Sequence, residues 1–124
     1  GCQLMNSADD PGGGEHVSRP LSEIKADLFK ALGHAGRVRI LEVLGDGDRT
    51  VADLIPAVGL ESSHLSQQLA VLRRAGVVTA IRSGSSVTYS IADPAIVELL
   101  AAARSFLINS LSVSRELLAD LQGG

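Results

Sequence analysis

The sequence contains very few aromatic residues. Its 124 residues include two phenylalanines, one tyrosine and no tryptophan. Apolar residues still make up 45% of the chain, so one domain can bury a core, but that core has to be aliphatic. The scarcity of aromatic rings also excludes a stacking platform for single-stranded nucleic acid.

Cysteine occurs once, at Cys2, which excludes a disulfide framework. The four residues before Met5 are interpreted as a cloning remnant, with the natural chain starting at Met5. On that interpretation the protein has no cysteine of its own. Thiolate metal sites and a cysteine nucleophile are then excluded, because both need a cysteine in the folded domain.

Long apolar runs and catalytic clusters are also absent. The apolar runs fall far short of the ~20 residues that a membrane-spanning helix needs, and the polar, glycine-rich N-terminus does not resemble a signal peptide. The sequence shows no paired catalytic carboxylates, no phosphate-binding glycine loop and no Ser-His-Asp arrangement. It therefore predicts a cytoplasmic protein that is not an enzyme, holds no cofactor and does not contact a membrane.

The hydrophobic periodicity predicts a tail followed by one mainly helical domain. Residues 1–20 are expected to form a cloning remnant and flexible tail, and residues 21–121 the domain. Ser22, Thr50 and Asp93 are predicted to cap helix N-termini. The predicted helices span about 22–32, 36–44, 50–58, 62–74 and 94–121, with hairpin strands at 77–81 and 87–91 joined by a turn at 83–86.

The helix predicted at 62–74 carries an unusual polar face. Leu65, Leu69 and Leu72 have the spacing of a buried stripe. The remaining positions carry hydroxyl, amide, imidazole and arginine side chains, without the Glu and Lys that solvated helix faces usually have. Ser and Gln side chains bind phosphates and base edges, and Gln can pair bidentately with adenine. This composition favours contact with double-stranded DNA.

Charge is distributed unevenly along the chain. The whole sequence has a net charge of -3, whereas the segment from Ser62 to Ala92 contains three arginines and no acidic residue. A local positive surface on an otherwise acidic protein is typical of an anion-binding face.

Two stretches, Ala31 to Leu41 and Leu65 to Val78, together resemble the ArsR/SmtB-type bacterial regulators. Arg82-Ser83-Gly84 followed by Val87 to Ile91 is similar to the wing of that family. The resemblance implies a winged helix-turn-helix fold, mainly α with a small β-hairpin wing in the order α-α-α-α-β-β-α. It also implies a homodimer joined through the first and last helices, and binding to double-stranded promoter DNA.

By this resemblance the helix at 62–74 is the recognition helix. The residues predicted to contact DNA are Ser62, Ser63, His64, Ser66, Gln67, Gln68 and Arg73 on that helix, and Arg82 and Ser85 in the wing.

The last predicted helix carries more apolar residues than one small domain can cover. Val97, Ile108 and Val113 widen its apolar surface, and a partner is expected to bury the surplus. The predicted dimer contacts are Ile24, Leu28, Leu99, Ala103, Phe106, Leu107 and Leu111.

The sensing residues of the family are largely missing. Many members bind a metal on the last helix, and the positions that match those ligands here are Asp93, Ala95, Phe106 and Asn109. Other members use two cysteines at the third helix, where this chain has Thr50 to Leu54. A metal needs three or four suitable ligands, so no metal site is predicted.

Three histidines leave an alternative open. His16 is interpreted as a solvated tail residue, His34 as a capping or packing residue and His64 as a DNA contact. Weak metal binding through His16 or His34 would instead indicate a nickel-, zinc- or cobalt-responsive regulator with atypical His and carboxylate ligands. A winged-helix module for protein–protein contact is a further alternative, and a separate sensor protein is a candidate partner.

Overall fold

The computed structural model describes residues 19–110 and 119–122. The elements are α1 (Leu21–Leu32), α2 (Ala35–Gly45), β1 (Arg49–Thr50), α3 (Val51–Val58), α4 (Ser62–Arg74), β2 (Val78–Ser83), β3 (Ser86–Ile91) and α5 (Ala95–Ser110). Residues 119–122 are also helical. Apart from Arg19 and Pro20, the predicted tail lies outside the described residues. So does the stretch 111–118 of the predicted last helix.

Several helix ends follow the predicted capping chemistry. The Thr50 hydroxyl accepts a hydrogen bond from the Asp53 N–H at 3.2 Å, and Asp93 Oδ1 accepts one from the Ala95 N–H at 2.8 Å. Gly59 ends α3 with a φ of 78°, the left-handed conformation that glycine adopts most easily. These caps fix where α3 begins and ends and where α5 begins.

The N-terminus of α1 differs from the prediction. Ser22 was expected to cap it, but α1 begins at Leu21 with Pro20 at the cap position and no side-chain cap hydrogen bond. The Pro20 carbonyl accepts from the N–H groups of Glu23 and Ile24 at 3.0 and 3.3 Å. The first turn is therefore already closed by backbone groups, and the Ser22 prediction is wrong.

The β-hairpin belongs to a three-stranded antiparallel sheet in the order β1-β3-β2. β2 and β3 pair from Val78↔Ile91 to Ser83↔Ser86, so only Gly84 and Ser85 form the turn. The sequence did not predict β1, because two residues are too few to show strand alternation. β1 pairs Arg49 with Tyr89 and Thr50 with Thr88, and it anchors the hairpin to the start of α3.

The core is aliphatic, as predicted. Its fully buried side chains come from α2, α3 and α4: Ile40, Leu41, Leu54, Leu65, Leu69 and Leu72. Val77 and Val78 join them from the start of the hairpin, and Ile96 from α5. Burying a side chain of this size contributes about 1.5–3 kcal/mol, so this cluster holds α4 and the hairpin to one scaffold. Within the described residues, no helix has the length and apolar character to cross a membrane.

Candidate nucleic-acid interface

The outer face of α4 is polar and exposed. Leu65, Leu69 and Leu72 point into the core, as predicted. Ser62, Ser63, His64, Ser66, Gln67 and Arg73 are exposed. The first turn of α4 contains no acidic residue, and its last turn contains two arginines. The exposed face therefore offers hydrogen-bonding groups without an anion that would repel phosphate.

Gln68 lies on the other side of α4, and its predicted exposure is wrong. It is only 7% exposed, and its Oε1 accepts a hydrogen bond from Arg37 Nη1 at 2.8 Å. The spacing contains the signal for this, since 65, 68, 69 and 72 follow the i, i+3, i+4, i+7 pattern of a buried helix face. Glutamine is usually exposed to solvent, so residue type alone predicted an exposed side chain for Gln68.

The hairpin extends a second exposed surface beyond α4. Arg82 near the end of β2 and Ser85 in the turn are both exposed. Ile81, next to Arg82, is also 62% exposed. The positions predicted for the wing are thus available to a ligand.

The described arginines fall into two groups. The side chains of five have partners on the chain itself: Arg19 with Glu23 and Asp27, Arg37 with Ala31, Lys30 and Gln68, Arg39 with Val58, Arg49 with Gly47 and Asp48, and Arg104 with Leu121. In the Arg19 pair, the hydrogen bond to Asp27 is the main reason why the pKa of the guanidinium is raised. Within the described residues, the guanidinium groups of Arg73, Arg74 and Arg82 make no hydrogen bond or ion pair. These three are the arginines of the acid-free segment.

A cleft of about 400 Å³ separates α4 from the sheet. Its lining consists of Ser66, Ala70, Arg73, Arg74 and Tyr89. Two cationic side chains and two hydroxyl groups therefore converge beside the exposed face of α4. Tyr89 and Arg74 were not among the predicted DNA contacts, and only their spatial proximity identifies them.

His34 has the capping role predicted for it. Its Nδ1 accepts a hydrogen bond from the Gly36 N–H at 3.0 Å. The His34 ring stands edge-on to the ring of His64, with centroids 6.2 Å apart. No three His, Cys, Asp or Glu side chains in the described ranges are grouped so that they could hold a metal ion. His16 lies outside these ranges.

Asp93, which matches a metal ligand of related proteins, serves as the α5 cap described above. The carboxylate oxygen that binds the Ala95 N–H sits at an exposed helix end. The neighbouring matched positions are apolar or amide side chains, so this end of α5 offers one carboxylate rather than a ligand set.

A second surface, on α1 and α5, is apolar and exposed. Ile24 is 49% exposed, Phe106 67% and Leu107 43%. Ala103 is exposed too, whereas Leu28 and Leu99 are half-buried against the core. Leu111 lies outside the described residues. Leu21 and Phe29 were not predicted for this surface, but they are as exposed as the residues that were.

The same helices border an apolar cavity of about 430 Å³. Phe29, Leu99, Ala103 and Leu107 contribute to its lining. Exposed apolar side chains beside an apolar cavity are typical of a surface that another chain covers.

The chain resembles known bacterial regulators over most of its length. The family model for "Bacterial regulatory protein, arsR family" matches residues 34–80. The HTH-type transcriptional regulator Rv0081 of Mycobacterium tuberculosis is 56% identical over 108 residues, which cover 86% of this chain and 95% of that protein. The crystal structure of M. tuberculosis Rv0081 matches with a TM-score of 0.70 and 58% identity, covering 77% of this chain and 96% of the other.

A third match is the solution structure of Mb0332 from Mycobacterium bovis, described as a homodimeric winged helix-turn-helix DNA-binding domain. It has a TM-score of 0.65 and 28% identity, and covers 77% of this chain and 86% of the other. These matches confirm the predicted family and the predicted fold class. The chain belongs to the ArsR family of bacterial regulators, and it is a DNA-binding transcriptional regulator rather than an enzyme.

Proposed function

We propose that the protein acts in the cytoplasm as a homodimer that binds a two-fold symmetric promoter sequence. One α4 enters the major groove at each half-site, and the β2–β3 hairpin lies against the adjacent backbone. The observation that carries this proposal is the outer face of α4, where exposed hydroxyl and amide groups adjoin three arginines that have no described partner. Such a face provides base-edge contacts and phosphate contacts together.

The base contacts are assigned to the first two turns of α4. Ser62, Ser63, His64, Ser66 and Gln67 are exposed there. The helix N-terminus adds a partial positive charge. Gln68 is left out of this set, because it is buried and its oxygen is already bound by Arg37.

The phosphate contacts are assigned to the arginines at the edges of this surface. Arg73 and Arg74 line the cleft between α4 and the sheet, with the Ser66 and Tyr89 hydroxyls beside them. Arg82 and Ser85 extend the contacts along the hairpin. Because an arginine fork donates bidentately to phosphate oxygens, the cleft suits a backbone phosphate next to the groove that α4 occupies.

The dimer contacts are assigned to α1 and α5. Ile24, Ala103, Phe106 and Leu107 are exposed on these helices, and Leu28 and Leu99 pack against the core beside them. Leu111, outside the described residues, stays a predicted dimer contact. The homodimeric state of the similar Mb0332 domain supports a homodimer for this chain.

Replacing Gln67 by alanine should erode sequence discrimination. Loss of one good base contact costs about 1–3 kcal/mol and a symmetric dimer loses two, so affinity for an operator selected from random duplexes should fall about 30-fold or more. Affinity for unrelated DNA should stay within about twofold, because phosphate contacts dominate there. Anisotropy titrations on both duplexes measure this. Gln122→Ala, an exposed amide near the other end of the chain, is the control. An unchanged operator affinity for Gln67→Ala would remove Gln67 from the interface.

We also expect no tight metal binding at the two positions used by related proteins. Asp93 supplies one exposed carboxylate, and Thr50 to Leu54 supply no thiolate, which is too few ligands for nickel, zinc or cobalt. Residual affinity through His16 or His34 should be weak. Control of DNA binding then comes from another ligand, a separate sensor protein or protein abundance.

Calorimetric titration of tag-free protein with nickel, zinc and cobalt tests this expectation. Heats that fit only weak binding agree with it. Sub-micromolar binding at one site per protomer, together with a tenfold change in operator affinity, would contradict it and support the metal-responsive alternative.

A further inference from the structure

One arginine on α2 hydrogen-bonds to two other helices at once. Arg37 Nε donates to the Ala31 carbonyl at 2.6 Å, and Nη2 donates to the Lys30 carbonyl at 3.3 Å. Both carbonyls belong to the last turn of α1. Arg37 Nη1 donates to Gln68 Oε1 of α4 at 2.8 Å. A single side chain therefore joins α1, α2 and α4.

The contact to Gln68 has a defined polarity. A guanidinium has five N–H donors and no acceptor, so the oxygen of the Gln68 amide must face Arg37. Gln68 is 7% exposed, and a buried amide oxygen is costly to leave without a donor. The hydrogen bond thus holds the inner face of α4 at one position relative to Arg37.

The contact to α1 has an electrostatic basis. Backbone carbonyls at a helix C-terminus lack partners within the helix and carry partial negative charge. The cationic guanidinium meets two of them, the Ala31 carbonyl and the Lys30 carbonyl, of which the second also accepts from the Gly33 N–H at 3.1 Å. Its remaining nitrogen donates to Gln68 on α4. A lysine could not reproduce this geometry, since its single nitrogen cannot reach three acceptors on two helices with a planar fork.

We infer that Arg37 is a positioning residue whose guanidinium, bound to Gln68, fixes α4 relative to α1. The inference rests on the proposed function, in which α1 lies at the dimer interface and α4 in the major groove. The angle and distance between these helices then set the separation of the two recognition helices. Arg37 and Gln68 determine which half-site spacing the dimer accepts, although neither contacts a base.

The first test measures the distance between α1 and α4 within one protomer, in the absence of DNA. Spin labels are placed at Lys25→Cys on α1 and Ser62→Cys on α4, both exposed positions, in a Cys2→Ser background. Labelled protein is diluted into unlabelled protein, so that the distance within one protomer is measured by double electron–electron resonance. Three variants are compared with this background: Gln68→Met, Arg37→Lys and Gln68→Glu.

Gln68→Met should broaden the distance distribution or shift its mean by about 1–2 Å or more, the scale of helix displacements between functional states. Arg37→Lys, which keeps the charge, should do the same. Gln68→Glu keeps an oxygen acceptor for the guanidinium and should retain the parent distribution. Distributions for Gln68→Met and Arg37→Lys that coincide with the parent would overturn the inference. If Gln68→Met does not fold, Arg37→Lys and Gln68→Glu decide the outcome.

The second test uses operators whose half-sites are moved apart by one base pair. The unsubstituted protein should bind the altered operator at least tenfold more weakly than the selected one. Gln68→Met should bind the selected operator about tenfold more weakly than the unsubstituted protein does, and should distinguish the two spacings by less than threefold. Gln68→Glu should retain spacing discrimination.

A different pattern would indicate that Gln68 contacts a base. In that case Gln68→Met would lose discrimination at one base pair and keep its preference for spacing, which overturns the positioning role. Failure of the proposed function itself is distinguishable, because the unsubstituted protein would then bind no selected duplex. The distance measurement would still decide the role of Arg37 and Gln68.

Discussion

Phe106→Glu is expected to convert the protein into a monomer and to weaken operator binding by about 100-fold. Phe106 is 67% exposed on α5, so its replacement should leave the protomer folded. Burying one phenylalanine contributes about 1.5–3 kcal/mol, and a symmetric dimer loses two of them. The dimer dissociation constant should therefore rise about 100-fold or more.

Operator binding depends on the dimer for a separate reason. Once one protomer of a dimer has bound its half-site, its partner meets the second half-site at a high effective concentration. A monomer lacks this advantage. Light scattering at micromolar concentration and anisotropy titration measure both effects. Ile81→Glu is the control for oligomeric state, because Ile81 is similarly exposed but lies on the hairpin. A Phe106→Glu protein with dimer mass would place the dimer contact elsewhere.

Replacing Arg74 and Arg82 together by alanine should cause the second large effect. Neither guanidinium makes a hydrogen bond or ion pair with another described residue. The substitutions therefore remove no such interaction from the described part of the protomer. Each phosphate contact contributes about 0.9 to the slope of log affinity against log salt concentration. Two contacts per protomer, doubled in the dimer, should reduce that slope by about three to four. Affinity near 0.15 M salt should fall on the order of 10³-fold, for operator and unrelated DNA alike.

The matched control removes the same amount of charge elsewhere. Lys25→Ala with Lys30→Ala eliminates two exposed cations on α1, and should change the salt slope by less than one. Equal slopes for the two double variants would mean that net charge, and not the cleft and hairpin, determines binding. A slope unchanged by the arginine substitutions would contradict the phosphate assignments.

The elements that the sequence predicted well are those with several independent signals. The bounds of α4 follow from leucines at helical spacing, a preceding Gly59 and a following Gly76, both with positive φ. Thr50 and Asp93 cap their helices because a short acceptor side chain stands directly before an amphipathic run. The position of such a helix end depends on the residues next to it in the chain, so it can be predicted from one sequence.

The errors arise where a distant partner decides the outcome. Gln68 is buried because Arg37, 31 positions away, supplies a donor for its oxygen. β1 exists because β3 offers it a partner, not because Arg49 and Thr50 form a strand by themselves. Tyr89 and Arg74 share a cleft only after the hairpin folds beside α4. Periodicity indicates only that Gln68 lies on the buried face of α4; neither it nor side-chain type identifies the distant partner in any of the three cases.

Recognition of a symmetric DNA sequence by the outer face of α4 in a dimer underlies all of these assignments. Selection of binding sites by the full chain from a random double-stranded DNA library is the decisive measurement. We expect enrichment of one inverted repeat, with half-site centres about 10 base pairs or a multiple of that apart, and loss of this enrichment for the Phe106→Glu variant. Recovery of no enriched motif, or of an isolated half-site bound equally well by Phe106→Glu, would contradict it.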